Sequence, residues 1–108
     1  MRALYELSPE AEGDLDEIIE YTNKKHGSAQ VLKYVAGLEK CSDDLAMEYG
    51  HYKEFPEIHS ALRMKHCQHH YIFGLMRASA PMLVIAILYE RMNLLANLEE
   101  RLSYNTQL

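Results

Sequence analysis

Two apolar runs joined by a short polar turn constrain this chain more than any other feature. They lie within residues 70–93, HYIFGLMRASAPMLVIAILYERMN. Strand-like alternation gives one set on a single face of each run: Tyr71, Phe73 and Leu75 in the first, and Leu83, Ile85, Ile87 and Tyr89 in the second. The alternate positions are mostly apolar too, and strands of that kind are usually covered on both faces. The few helices of a small protein can cover one face, so the other is expected to be poorly covered or to await a partner.

The first half of the chain predicts two consecutive helices. Ser8 and Pro9 form a helix start, and Gly27 supplies a left-handed end. A second helix begins at once at Ser28 and continues to about Tyr49, so the two form an antiparallel hairpin. Several carboxylates of the first helix fall outside its apolar stripe and are interpreted as a solvated face: Asp14, Asp16, Glu17 and Glu20.

The remaining patterns complete the sheet. Residues 3–7 and 61–66 alternate as strands, residues 51–60 lack a period and are predicted to be a loop, and residues 94–102 have helical spacing, with a frayed end beyond Ser103. The fold class is therefore α+β. An N-terminal strand, a helical hairpin on one face of a small, mostly antiparallel four-stranded sheet and a short C-terminal helix are expected.

Length and composition restrict the class of protein. With 108 residues the chain is predicted to be one domain, residues 1–108. Its longest apolar run, Met82 to Tyr89, is far shorter than the roughly 20 residues that span a bilayer, and the N-terminus lacks the apolar segment of a signal peptide. We therefore expect a cytoplasmic protein with no membrane partner, in which Cys41 and Cys67 are free thiols.

Charge argues against a nucleic-acid-binding domain. The net charge is -5, with a large acidic excess in the first 60 residues and a slight basic excess afterwards. An acidic domain is at a disadvantage in replacing counterions along phosphates, so we expect no direct nucleic-acid binding by this domain alone. A local basic patch stays open as an alternative, formed by Arg63, Lys65, Arg77 and Arg91.

Four segments in a fixed order carry a family resemblance. They are LSPEAEGDLDEIIEYT (7–22), HGSAQ (26–30), ALRMKHCQHHYIFGL (61–75) and VIAILYERMN (84–93). Together they resemble the ParE branch of the RelE/ParE toxin superfamily, the toxin halves of bacterial type II toxin-antitoxin modules. The resemblance implies a helical hairpin against one face of a small sheet, an open concave face and no cofactor.

The resemblance also implies two protein partners. A cognate antitoxin with a disordered tail is expected to fold over apolar positions of the sheet and the helical hairpin. The candidate antitoxin contacts are Leu15, Ile19, Tyr71, Phe73, Leu83, Ile85 and Ile87. ParE members are expected to bind DNA gyrase and poison its cleavage complex, for which the candidate contacts are Arg63, Arg91 and Asn93. Because Gly74, Tyr89 and Asn93 depart from the commoner pattern, a retargeted or inactive member stays an alternative.

Two chemical alternatives use the same region. RelE-like members cleave ribosome-bound mRNA with a base, an acid and cations, and the candidates here are Arg63, His66, His70, Tyr89 and Arg91. Tyr89 stands where related sequences often carry His, and a tyrosine with a pKa near 10 is a poor base at neutral pH, so no catalytic residue is assigned. A zinc site could instead use the cluster His66, Cys67, His69 and His70. That cluster lacks a second ligand pair, so no metal is expected.

Overall fold

The computed structural model describes residues 3–106 and confirms the α+β class. The strands are β1 (Tyr5–Leu7), β2 (Lys53–Glu54), β3 (Leu62–Cys67), β4 (His70–Leu75) and β5 (Met82–Tyr89). The helices are α1 (Pro9–His26), α2 (Ser28–Ala46) and α3 (Leu94–Thr106). The sheet has the order β1-β5-β4-β3-β2, with β1 parallel to β5 and the other pairs antiparallel. The fifth strand, β2, falls in the predicted loop and pairs with β3 at the sheet edge.

Local signals set the helical hairpin as predicted. The Ser8 hydroxyl accepts a hydrogen bond from the Ala11 backbone N–H at 3.1 Å, and Pro9 occupies the first turn of α1. Gly27 has φ of 85°, a conformation that glycine adopts without a Cβ clash, and it separates the two helices by one residue. α2 ends at Ala46, three residues before the predicted Tyr49, and α3 stays helical to Thr106 rather than fraying at Ser103. Residues 107 and 108 of the predicted frayed end lie outside the described residues.

The sheet is covered on both faces, one by the hairpin and the other by α3. Ile18 of α1 and Leu38 and Leu45 of α2 pack against one face of the sheet. Leu98 and Leu102 of α3 pack against the opposite face, on Phe73 and its neighbours. The expectation that the helices share one face is therefore wrong for α3, whose apolar stripe supplies cover that the double-sided strands require.

A β-bulge changes which side chains share a face. Phe73 lies opposite Ala86, but Gly74 lies opposite Val84, so Ile85 is an extra residue in β5. As a result Ile85 packs in the α3 cluster, whereas Ile87 packs in the hairpin cluster. The uninterrupted alternation that placed them on one face is wrong from the bulge onward.

The two cysteines form a disulfide between α2 and β3. Cys41 and Cys67 have Cα atoms 6.2 Å apart, within the range that a disulfide bridges. The expectation of free thiols is therefore wrong, because packing of α2 on β3 brings together two residues that are 26 positions apart in sequence.

The edge of β5 beyond Val84 is closed by an ion pair rather than by a strand. β1 pairs with Met82 to Val84 only, and Asp14 of α1 accepts a hydrogen bond from the Ile87 N–H at 2.9 Å. Arg101 of α3 binds Asp14 through two 2.7 Å contacts and donates to the Ile85 carbonyl at 3.0 Å. Asp14 is thus a structural residue, not part of a solvated face, and it joins the two helical layers around the sheet edge.

Candidate functional site

An open groove of about 1070 Å³ lies beside the C-terminal end of β5. α1 forms one wall, and the residues from Ile87 to Met92 form the floor and the far rim. The turn between β3 and β4 and the first half of α2 close one end through Gln68 and Tyr34. The groove therefore lies where the helical hairpin, the sheet edge and the turn that follows β5 meet.

The rim of the groove exposes large apolar side chains. Tyr21 is 62% exposed, and Tyr89 and Met92 are each 43% exposed. Soluble monomers seldom cluster such side chains around one depression unless a partner covers them.

Backbone hydrogen-bonding groups also face the groove. Tyr71 and Phe73 pair with Leu88 and Ala86, and hydrogen bonding alternates along an antiparallel strand. The Ile87 N–H faces outward to Asp14, so the Ile87 carbonyl and the Tyr89 N–H face the same way. Within residues 3–106 no strand pairs with the outer edge of this part of β5, the edge away from β4.

A tyrosine-histidine pair holds the closed end of the groove. The Tyr34 hydroxyl lies 2.6 Å from His70 Nδ1 and accepts a hydrogen bond from the His69 backbone N–H at 3.1 Å. Burial lowers the pKa of His70 and raises the pKa of Tyr34. At neutral pH the neutral imidazole of His70 therefore accepts a hydrogen bond from the Tyr34 hydroxyl, which keeps its proton. The Tyr89 ring packs edge-on against the His70 ring, with centroids 5.7 Å apart.

A carboxylate between two imidazoles binds the end of β5 to the β3–β4 turn. Glu90 contacts His66 Nε2 at 2.9 Å and His69 Nδ1 at 3.1 Å, and its backbone N–H donates to the His69 carbonyl. The hydrogen bond from His66 lowers the pKa of Glu90, with a further contribution from His69. The exposed histidines thus have a structural partner that the sequence pattern did not reveal.

The three predicted target contacts are not adjacent. Arg63 is level with Gly74 near one end of the sheet, whereas Arg91 follows Tyr89 beyond the other end. Arg63 binds Glu48 at 2.8 Å and lies over the Tyr52 ring, and its Nη1 is buried without a hydrogen bond from residues 3–106.

Asn93 has a structural function at the start of α3. Its side-chain oxygen accepts from the Ala96 N–H at 3.2 Å, as a helix N-cap does. Arg91, in contrast, is exposed at the groove and has no ion pair within the described chain. Of the three candidates, Arg91 is the one that lines the groove.

The predicted antitoxin contacts are mostly internal. Phe73, Ile85 and Ile87 are at most 5% exposed, while Tyr71 and Leu83 pack against the α3 cluster. Leu15 and Ile19 are partly buried on α1. Contact with the residues under α3 requires α3 to move, and their role stays a prediction.

The structure divides the candidate nuclease residues. His70, Tyr89 and Arg91 line the groove, but His66 stacks on Tyr71, which packs against the α3 cluster. Arg63 lies at the far end of the sheet. The zinc alternative loses Cys67 to the disulfide.

Sequence reasoning missed three groove residues. The available signal for Tyr34 was its spacing in α2, three residues after Val31 and four before Leu38, which places it on the apolar stripe. Glu90 and Asp14 carried no signal beyond their charge, since their partners His69 and Arg101 are distant in sequence.

Among the described residues no helix is both long and apolar enough to cross a membrane.

Comparison with known proteins gives concordant matches. Residues 5–94 match the family model described as the ParE toxin of the type II toxin-antitoxin system, parDE. The chain is also 50% identical over 98 residues to a protein of Escherichia coli named Toxin ParE, an alignment covering 91% of this chain and 95% of that protein. The match includes the helical hairpin, the whole sheet and the groove.

Proposed function

Because this chain belongs to the ParE toxin family of type II toxin-antitoxin systems, we propose that it poisons DNA gyrase and that a cognate antitoxin neutralises it by laying its tail along the groove. The observation that carries the proposal is the open groove beside the part of β5 whose outer edge, the edge away from β4, carries no strand among the described residues. A toxin that acts by binding needs such a surface rather than a set of reacting groups.

The groove suits an extended peptide segment. A peptide strand can add to β5 through the outward-facing groups of Ile87 and Tyr89, with alternate side chains directed toward the rim. Tyr21 and Met92 offer apolar contact on either side of that path. Backbone pairing and apolar cover together favour a disordered tail that orders on binding.

The distribution of polar groups supports protein binding over RNA cleavage. Cleavage needs base, acid and cations around one phosphate, and neither Arg63 nor His66 lines the groove. A RelE-type nuclease is the second candidate, because His70, Tyr89 and Arg91 do share the groove.

The antitoxin part is tested with a purified tail peptide and calorimetry. Met92→Ser and Tyr21→Ser remove exposed apolar contacts, and each is expected to weaken binding about tenfold, the loss that corresponds to 1.4 kcal/mol at an interface. Leu32→Ser is the matched control, since Leu32 is 74% exposed on α2 and lies outside the groove. Equal losses in all three variants would contradict the groove assignment.

Amide exchange in the same complex separates two docking modes. Docking in the groove protects residues 87–92 and leaves α3 protected. If α3 instead loses protection while β4 and β5 gain cover, the tail displaces α3 and reaches Phe73 and Ile85, as the sequence-based contacts require.

The gyrase part is tested by induced expression, following DNA breakage and protein synthesis in the same culture. We expect DNA breakage with translation intact at early times, and loss of toxicity in Arg91→Ala. Lys33→Ala, an exposed cation on α2 outside the groove, is expected to stay toxic. Early translation arrest with cleaved mRNA would instead establish the nuclease alternative.

A further inference from the structure

The Cys41–Cys67 disulfide lies outside the machinery of the proposed function. Cys41 is half-buried on α2, and Cys67 is 3% exposed at the end of β3. The bond joins the helical hairpin to the strand that leads into the groove's closed end.

The bond lies within a tightly docked contact. Gln68 donates to the Tyr34 carbonyl at 3.0 Å, and α2 approaches the turn so closely that a Cβ on Gly37 would lie 2.6 Å from Gln68 Nε2. The Tyr34 hydroxyl also contacts His69 and His70. These contacts do not depend on the disulfide, so they keep the two sulfurs close when the bond is reduced.

The two sulfurs differ in access. Cys67 Sγ lies 3.3 Å from the Gly37 carbonyl, to which its reduced thiol can donate, and it is almost completely buried. A buried, protonated thiol is a poor nucleophile, because the thiolate is the reactive form. Cys41, in contrast, is only half-buried, so its side chain is the more accessible of the two.

We infer that Cys41 and Cys67 form a thiol redox pair in which Cys41 reacts with low-molecular-weight disulfides and Cys67 resolves the mixed disulfide. The Cys41 thiolate attacks oxidised glutathione, whose S–S bond breaks and releases one glutathione thiolate. Cys67 then loses its proton and attacks Cys41 Sγ, and the second glutathione leaves. Two protein thiols are oxidised by two electrons, and one glutathione disulfide is reduced to two thiols.

Oxidation fixes the closed end of the groove. Closing a loop with a sequence separation of 26 restricts the unfolded chain, and the loop-entropy estimate corresponds to a rise of the melting temperature on the order of 10 °C. Amide exchange at residues 67–70 is expected to slow in the same state, since the disulfide anchors that turn to α2.

The test adds oxidised glutathione to the reduced full chain and follows its mass. The wild type is expected to form the internal disulfide without a lasting adduct. Cys67→Ser is expected to retain one glutathione on Cys41. Cys41→Ser is expected to react with oxidised glutathione at least about tenfold more slowly, because its remaining thiol is buried. In denaturant both single variants should react alike.

Three outcomes would overturn the inference. They are equal native rates for the two single variants, a wild type that retains two glutathiones, and a melting temperature that is unchanged on oxidation. The Cys41→Ser/Cys67→Ser chain supplies the control, since its melting temperature and its exchange at residues 67–70 should not respond to dithiothreitol.

Discussion

Replacing Asp14 with Ala tests how the open edge of β5 is stabilised. Asp14 binds Arg101 through both carboxylate oxygens and accepts the Ile87 N–H. The side chains are 12% and 15% exposed, so solvent screens the pair only partly. Removal of Asp14 leaves a guanidinium without its carboxylate and a strand N–H without an acceptor.

The expected loss is large for one side chain of a small domain. Breaking a buried ion pair by removing one partner costs about 3–5 kcal/mol, and the residual exposure favours the lower end, about 3 kcal/mol. At about 4 °C per kcal/mol, the melting temperature should fall by about 12 °C. Arg101→Ala should cost a similar amount, since it removes the bond to the Ile85 carbonyl as well.

Urea unfolding followed by circular dichroism measures the loss, with a double-mutant cycle for the pair. We expect a coupling free energy of about 2 kcal/mol between Asp14 and Arg101. Glu20→Ala is the matched control on α1, because its pair with Lys24 is exposed and should contribute less than about 0.5 kcal/mol. Coupling within about 0.3 kcal/mol of zero would refute the view that this pair closes the edge.

Three further predictions concern single residues. Burial lowers the pKa of His70, so as the pH falls the unfolded chain binds a proton before the folded chain does. The free energy of unfolding, measured with urea, should therefore fall as the pH drops below about 6.5, and His70→Gln should reduce this pH dependence. Gly74→Ala places a Cβ 2.5 Å from Met82 Sδ and should cost about 1–3 kcal/mol by overpacking, whereas Ala at exposed Gly13 should not, as chemical denaturation would show. Asn93→Ala removes the α3 cap and should cost about 1 kcal/mol, with faster amide exchange in the first turn of α3.

The sequence was most informative where a local signal determines the structure. Ser8, Pro9 and Gly27 act within a few residues of themselves, and both boundaries of α1 follow from them. The predicted β4–β5 hairpin likewise needed only its alternation and its turn. Failure began at Ile85, because a bulge adds a residue without changing the composition that alternation depends on.

Contacts between distant residues were beyond local reasoning. Asp14 looks like its solvated neighbours until α3 brings Arg101 to it, 87 positions away. The cysteines were assigned by compartment alone, whereas their bond depends on the packing of α2 on β3. At the candidate site, the resemblance grouped Arg63 with Arg91 but could not show that the two lie at opposite ends of the sheet.

The short length of β1 connects the stability of this toxin to its proposed binding surface. β1 leaves the outer edge of β5 without a strand after Val84, and Asp14 takes the first outward N–H beyond the bulge, at Ile87. A strand added by a partner must therefore begin at the Ile87 carbonyl or displace Asp14 from the N–H. If it begins at the carbonyl, Asp14→Ala should destabilise the free toxin yet leave the affinity of the antitoxin tail within about twofold, a change below 0.5 kcal/mol. If affinity instead rises severalfold, the Ile87 N–H has become available to the tail, and the ion pair limits binding as well as closing the fold.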